Sequence, residues 1–286
     1  MPTVKDLRDR IKSLKNTQQI TKAMKQVAAA KIRRADLAQR QARPYAEALS
    51  AMLHDLMNAV GSVDHPFLKP GREGAPKGLV LMTADKGLAG AFNSNVIRLG
   101  EQLARQEKNV VWYSVGNKAR NATKRLSQAT VFDIQLSAGP KLETARRIAS
   151  RVTDDFVAGT ISEIVLVSSK LFSMSTQRPE SRTLVPIVAE KSAPAQSGPR
   201  GAVEFSPSPE FVLSRLLPKY LEFTIFSAML ETDAAFFAAQ LIAMNNATDN
   251  AGKLVDELTL QMNKARQFAI TSEMLEIVGG ADAVAG

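Results

Sequence analysis

Few residues of this 286-residue chain have the types and spacing that chemistry requires. The sharpest candidate is residues 83–95, TADKGLAGAFNSN, which follow an apolar run and precede a helical pattern. A glycine-containing turn between a strand and a helix can hold a phosphate on its backbone N–H groups. The segment has neither the GxGxxG spacing of a dinucleotide site nor the GxxxxGK[ST] spacing of a P-loop. We therefore interpret it as an exposed turn with Asp85 and Lys86 at its tip, and keep a nucleotide site as the alternative.

Other catalytic and metal-binding combinations are missing from the sequence. The chain has no cysteine, which excludes disulfides, thiolate metal sites and cysteine nucleophiles. His54 and His65 have no ligand-like neighbours in sequence, and we interpret them as solvated residues at a helix end and in a loop. There is no Ser-His-Asp set and no paired-carboxylate motif. The sequence thus predicts no catalytic residue, no cofactor site and no metal site of its own.

The positive charge is concentrated near the N-terminus. Residues 1–43 carry twelve Lys or Arg against three Asp, and this difference equals the net charge of +9 of the whole chain. We name the basic face by these cations: Lys5, Arg8, Lys12, Lys15, Lys22, Arg33 and Arg34. Such a concentration indicates an acidic partner, which can be nucleic acid, anionic lipid or an acidic protein surface. Residues 1–43 contain no aromatic side chain, which argues against stacking on single-stranded nucleic acid.

A long apolar period dominates the C-terminal part of the chain. Apolar or small residues recur at alternating steps of three and four: Leu213, Leu216, Tyr220, Phe223, Ser227, Leu230, Ala234, Phe237, Leu241, Met244, Thr248, Ala251, Val255, Leu258, Met262, Ala265 and Ala269. A 3.5-residue period is typical of a coiled-coil seam. No proline follows Pro218, so the sequence predicts one long helix that needs a partner helix.

The predicted partner helix is at the N-terminus. The same step begins with Val4, Leu7, Ile11 and Leu14. We predict that it resumes with Ile20, Met24 and Val27 after a phase shift near residues 16–17, and that Pro44 breaks or kinks the helix. The two terminal helices are expected to pair antiparallel. The alternative is two ordinary amphipathic helices packed on one core.

Strand and helix patterns alternate between the terminal helices. Buried strands are predicted at residues 78–83, 109–115, within 161–171, and at 184–188. Helices are predicted at residues 91–106, 117–126 and 140–157. This alternation favours a small α/β sheet. The predicted fold class is α/β plus all-α, a long antiparallel two-helix coiled coil from both termini with an inserted Rossmann-like α/β domain. The predicted domains are residues 1–60 and 210–286 for the coiled coil and 75–192 for the α/β domain.

The sequence predicts neither a membrane span nor a secretory signal. No apolar run approaches the ~20 residues that a spanning helix needs. The N-terminus is basic and amphipathic, without the apolar region of a signal peptide. A mitochondrial transit peptide remains the weaker alternative.

Three long blocks resemble the gamma subunit of F-type ATP synthase of the bacterial type. They are residues 5–34, 83–95 and 244–280, and they occur in the family's order. Within the third block, ITSEMLEIVGGA is similar to the family signature, with Thr271, Glu273, Glu276 and Gly280 in place.

The resemblance implies a rotor in the central stalk. The coiled coil would stand inside a hexamer of alpha and beta subunits, and the α/β domain would sit with the epsilon subunit on a membrane ring of c subunits. Proton flow would turn ring and shaft together and drive ATP synthesis at the beta subunits. The expected location is peripheral, on the cytoplasmic face of the bacterial inner membrane, with no membrane insertion and no nucleic acid bound.

The resemblance also assigns contact residues. Arg266 and Gln267 match the family's pair that hydrogen-bonds a beta loop as a catch, and Lys86 matches a basic position near beta. Met24 matches a packing position near that contact region. The basic face would meet acidic levers of beta. The chain departs from the family pattern at Phe236-Phe237, Gln240-Leu241 and Asn245-Asn246.

Two other functions stay open at this point. One is a DNA-associated coiled coil with a basic arm. The other is an α/β nucleotide-binding enzyme that uses the turn at residues 83–95.

Overall fold

The computed structural model describes residues 3–60, 65–107, 109–187 and 208–285, without the side chains of 58–60, 209 and 279–285. The chain divides into two compact units. The helical unit comprises Met1–Ala28 and Gln240–Gly286, and the sheet unit comprises Ala29–Ala239. Two long helices contribute residues to both units, α1 (Val4–Val60) and α5 (Pro209–Ala285). Pro44 lies inside α1, which continues past it, so the predicted break at this residue is wrong.

In the helical unit, α1 and α5 pack as an antiparallel pair. Thr248 donates a hydrogen bond to Thr21 Oγ1 (2.8 Å), and Lys25 Nζ donates to Asn245 Oδ1. A Cβ built on Gly252 would lie 2.9 Å from Gln18 Nε2. As numbers rise along α1 they fall along α5, which is the antiparallel order. The predicted fold class is confirmed.

The seam of α1 continues without the predicted phase shift. Ile20 and Val27 are 61% and 53% exposed, so neither belongs to the seam. Buried or half-buried residues that keep the step of three and four are Leu7, Ile11, Leu14, Gln18, Thr21, Lys25 and Ala28, and Met24 is half-buried beside Lys25. The predicted phase shift is wrong because polar residues occupy the seam positions here. The apolar residues Ile20 and Val27, from which the shift was predicted, lie on the exposed side of the helix.

The sheet unit contains a five-stranded sheet. Its strands are β1 (Lys77–Met82), β2 (Val110–Val115), β3 (Thr130–Ile134), β4 (Glu163–Ser173) and β5 (Thr176–Val185). Their order across the sheet is β3-β2-β1-β4-β5. Neighbours pair in parallel, except that β4 and β5 form an antiparallel hairpin.

Two strands differ from the sequence expectation. β3 was not predicted, because it is an edge strand with only half-buried or exposed residues and gives no apolar signal. β5 begins eight residues before the predicted fourth strand at 184–188 and is mostly polar, because one edge strand of a hairpin needs little burial.

Helices cover both faces of the sheet. The intervening helices are α2 (Phe92–Gln106), α3 (Asn117–Thr123) and α4 (Lys141–Val157), close to the predicted ranges. Val80 and Met82 of β1 pack on one face with α4, α5 and the later turns of α1. Leu79 and Leu81 face the opposite side, toward α2 and α3. The alternation along β1 therefore separates two apolar layers, as the period of two in a strand requires.

One stretch of α5, within Glu210–Val278, is long and apolar enough for a membrane span by length and composition alone. Within the protein 56% of this stretch is buried. The core helix of a soluble protein passes the same test, so the stretch is weak support for a span.

Candidate functional site

The side chain of Asn93 holds the loop that follows β1 through two hydrogen bonds. We define the 83–91 loop as the residues from Thr83 to Ala91. Asn93 Oδ1 accepts a hydrogen bond from Ala84 N (3.0 Å), and Asn93 Nδ2 donates to the carbonyl of Lys86 (3.1 Å). Asn93 therefore closes the loop from the first turn of α2.

Asp85 links the carboxyl ends of three parallel strands. Its Oδ1 accepts from Asn117 N (3.0 Å) at the start of α3 and from Leu136 N (3.1 Å) after β3. Its Oδ2 accepts from Ser137 N (2.9 Å) and Ser137 Oγ (2.6 Å). The prediction that Asp85 lies at an exposed tip is wrong, because these donors draw the carboxylate inward. An acidic residue directly after a buried strand is the sequence signal that could have indicated this role.

A glycine allows the end of β2 to lie close to the start of the 83–91 loop. Gly116 has φ of +95°, and a Cβ there would lie 2.2 Å from the carbonyl oxygen of Thr83. Only glycine fits this close approach of two backbones. Thr83 Oγ1 in turn accepts a hydrogen bond from Ala119 N (2.7 Å) in α3.

The crevice beside β1 is filled with apolar side chains. In a sheet of this kind, ligands bind where the strand order reverses, here between the carboxyl ends of β1 and β4. Ala84, Ala89 and Phe92 from the loop side pack there against Phe236 of α5 and Leu171 of β4. The rings of Phe92 and Phe236 meet edge to face, with centroids 5.7 Å apart. An apolar cluster therefore lies at the end of the sheet where a ligand would be expected.

The seven cations of the basic face are all exposed on α1. Two ion pairs of α1 join Arg40 to Asp36 and Arg43 to Glu47, and no ion pair seen among the described residues involves the basic face. Ile20 and Val27 are exposed on the same helix. The outer surface of α1 thus combines unpaired cations with apolar side chains.

The residues assigned by resemblance lie at separate places. Arg266, Gln267, Thr271, Glu273 and Glu276 are exposed on α5, and Gly280 lies in its last turns. Lys86 is exposed in the 83–91 loop of the sheet unit.

Met24 is not beside Arg266 in the helical unit. Its neighbour Lys25 pairs with Asn245, and 21 residues of helix separate Asn245 from Arg266, which is about 30 Å at ~1.5 Å per residue. His65 also differs from its predicted solvated state: its Nδ1 accepts from Phe67 N (3.1 Å), and burial lowers the pKa of its imidazole.

The family model and the most similar sequences that we compared all describe ATP synthase proteins. The family model for ATP synthase matches residues 3–284. The ATP synthase gamma chain of Desulforamulus reducens is 44% identical, over 99% of this chain and 100% of that protein. The chain belongs to the ATP synthase gamma chain family.

Further relatives agree with this membership. The gamma chain of Heliobacterium modesticaldum is 42% identical, over 99% of this chain and all of the relative. A chain from the Euglena gracilis mitochondrial ATP synthase has the same fold, with a TM-score of 0.69 at 18% identity, covering 98% of this chain and 94% of that one.

The predicted family and the predicted function within it are confirmed. The chain is a subunit of an enzyme complex, the rotor subunit of ATP synthase, and a peripheral part of a membrane complex. The DNA-associated alternative gains no support from these relatives.

Two departures from the family pattern now have structural partners. Asn245 accepts the hydrogen bond that Lys25 Nζ donates from α1. Phe237 lies under Lys31, whose Nζ is 5.2 Å from the ring centroid. Phe236 fills the crevice beside β1.

Proposed function

We propose that the chain is the shaft of a proton-translocating F-type ATP synthase, and that it couples rotation of a c-ring to conformational change and ATP synthesis at beta-subunit sites. The match to gamma chains over residues 3–284 carries the proposal. Its partners are the alpha and beta subunits of the catalytic hexamer, the epsilon subunit and the c-ring. As the resemblance implies, we assign the shaft to residues 1–60 and 210–286 and the α/β domain to residues 75–192. The later turns of α1 and the first turns of α5 also pack in the core of the sheet unit.

The basic face binds acidic, moving segments of the beta subunits. Its cations are exposed and unpaired within the described part of α1. Ile20 and Val27 add apolar contact area seven residues apart. A charge pattern of this kind steers and orients a partner more than it adds affinity, which suits contacts that form and break in every turn.

The C-terminal end of α5 turns inside an apolar collar of the hexamer. Because Thr21 lies opposite Thr248 and α1 begins at Val4, the antiparallel register ends near Arg266. Beyond this point α5 has no partner helix within the described residues, for about 28 Å at ~1.5 Å per residue. Phe268, Met274 and Ile277 are 70%, 61% and 71% exposed there. Apolar contacts are non-directional, so they allow rotation without locking.

Arg266 and Gln267 form the catch for a beta loop, and Lys86 makes a second contact with beta. Arg266 and Gln267 are exposed where the helix pair ends, so their hydrogen-bond donors are accessible to a partner. Lys86 is presented by a loop that Asn93 and Asp85 hold in place. Met24 packs in the helix pair about 30 Å along the helix from Arg266.

The chain contributes no catalytic site of its own. The filled crevice beside β1 supports this, since Phe92 and Phe236 occupy the usual ligand position of such a sheet. The complex works at the cytoplasmic face of the bacterial inner membrane.

Co-expression with alpha and beta subunits tests the proposal. Affinity purification of this chain is expected to recover alpha and beta in stoichiometric amounts, and the isolated chain is expected to retain no nucleotide. Recovery of duplex DNA without these subunits would contradict it.

The catch is tested in the assembled complex. Arg266→Ala is expected to lower ATP turnover by about tenfold while assembly persists, because a hydrogen bond to a charged group is worth about 1.5–3 kcal/mol. Lys264→Ala, which removes a neighbouring exposed cation, is the matched control. Equal turnover of both variants would refute the catch.

A further inference from the structure

Leu88 has two unfavourable properties at once. Its φ is +60°, and it is the one non-glycine residue with positive φ in the described part of the chain. A leucine in this left-handed region is strained, because its Cβ crowds the backbone. Its side chain is also 64% exposed. Neither property helps this chain to fold.

The structure around Leu88 keeps it in this conformation. On one side Asn93 holds the carbonyl of Lys86, and on the other Ala89 is buried against Phe236 and Phe92. The hydrogen bonds of Asp85 to α3 and to the segment after β3 fix the base of the loop. A side chain held out by a rigid support loses little entropy when it binds.

Two cations lie near the leucine. Lys86 is exposed two residues before it. A Cβ on Gly87 would lie 3.7 Å from Nζ of Lys118, so a second ammonium group is adjacent to the loop. The loop therefore presents one apolar side chain close to two positive charges.

We propose that Leu88 is an anchor that enters an apolar pocket with an acidic rim on a subunit of the catalytic hexamer. This rests on the proposed function and adds to it a contact that residue types alone do not indicate. Strain held at an exposed loop residue is typical of sites where binding uses the strained conformation. Buried apolar anchors at the centre of a contact carry much of its energy, and charged residues around them set orientation.

A lipid surface fits this loop less well than a protein pocket. Stable attachment to a membrane needs a long acyl chain with a second signal, or an amphipathic helix with a broad apolar face. The loop offers one leucine and two lysines. A single rigid side chain of this size matches one pocket.

The test compares substitutions that relieve the strain with one that keeps the apolar side chain. Leu88→Asn and Leu88→Gly accept positive φ, so each is expected to raise the Tm of the isolated chain by about 2–4 °C. In the assembled ATP synthase both are expected to lower turnover at least about fivefold, because the anchor is lost. Leu88→Met is expected to keep most of the turnover. Val157→Asn, at another exposed apolar residue of the sheet unit, is the control.

Opposite effects on stability and turnover separate an anchor from a structural residue. A purely structural Leu88 would show both quantities falling together, and an irrelevant one would show unchanged turnover; either result overturns the proposal. A photo-crosslinking amino acid at position 88 is expected to label alpha or beta in the assembled complex. Labelling of lipid or of a second copy of this chain instead would overturn it. Failure of the unmodified chain to assemble with alpha and beta would refute the proposed function itself.

Discussion

The hydroxyl of Thr248 on α5 donates a 2.8 Å hydrogen bond to Thr21 Oγ1 on α1, across 227 positions of sequence. Thr21 in turn donates to the carbonyl of Gln18 (3.1 Å). One helical turn away, Lys25 pairs with Asn245. The centre of this helix pair therefore has polar layers where a coiled coil usually has apolar ones. Polar seam residues of this kind fix the register of two helices at some expense in stability.

The threonine pair predicts a coupled effect on stability. Thr21→Val and Thr248→Val are each expected to lower the free energy of unfolding by about 0.5–1.5 kcal/mol, because each removes one side of a hydrogen bond. The double variant is expected to lose less than the sum, because either single variant already removes the hydrogen bond between the two hydroxyls, which can be lost only once. Urea unfolding of the four proteins measures this coupling. Thr259→Val is the control, since that hydroxyl bonds only to Val255 of its own helix; strict additivity would contradict the prediction.

Phe236 is predicted to secure the 83–91 loop to α5. Phe236→Ala removes a ring that is 5% exposed and packed on Phe92, so it is expected to destabilise the sheet unit by about 3–5 kcal/mol. Hydrogen exchange at the amides of Ala89 and Phe92 is expected to accelerate. Phe211→Ala, at a ring that is 49% exposed, is the matched control and is expected to cost far less. An unchanged exchange rate in the loop would show that other contacts hold it.

Asp85 is predicted to be a structural acceptor. Asp85→Asn replaces one acceptor oxygen by an NH₂ group that faces backbone N–H donors, so we expect a loss of about 2–3 kcal/mol in the free energy of unfolding. Asp154→Asn on α4, where the carboxylate accepts one exposed hydroxyl at 3.3 Å, is expected to change it little. Chemical denaturation of the two variants gives the comparison. Similar stabilities for both would contradict the role of Asp85.

Glu231 is predicted to make the stability of the sheet unit depend on pH. Burial raises the pKa of its carboxyl above the ordinary value of 4.5, Lys170 lowers it and Glu180 raises it further. The folded chain therefore binds this proton more tightly than the unfolded chain. Its stability falls as pH rises from the unfolded value through the raised pKa. The side chain lines a cavity of about 120 Å³ together with Glu180, Arg182 and Tyr220.

Replacement of this carboxyl tests the pH dependence. Glu231→Gln is expected to raise the Tm at pH 7 relative to the unmodified chain, with the difference shrinking toward pH 4, where the carboxyl is protonated in both states. Glu143→Gln, at an exposed residue of α4, serves as the control. A difference that does not change between pH 4 and pH 7 would exclude Glu231 as its origin.

The sequence predicted the buried seam of α5 better than that of α1. The seam of α5 is buried or half-buried as predicted at Met244, Ala251 and Val255, because a 3.5-residue period is a local property of one helix. The seam of α1 was misplaced where Thr21 and Lys25 take positions that apolar residues usually hold. Their role depends on partners that lie more than 200 positions away.

The sequence by itself determined the two long helices, most of the strand and helix alternation, and the family. These follow from periodicity and from motifs, which neighbouring residues specify. Only the tertiary structure decided that Asp85 faces inward, that Phe236 closes the crevice beside β1, and that Leu88 is held out in a left-handed conformation. Each of these depends on backbone N–H groups or side chains that the fold brings together from distant segments, and no local pattern encodes such a meeting.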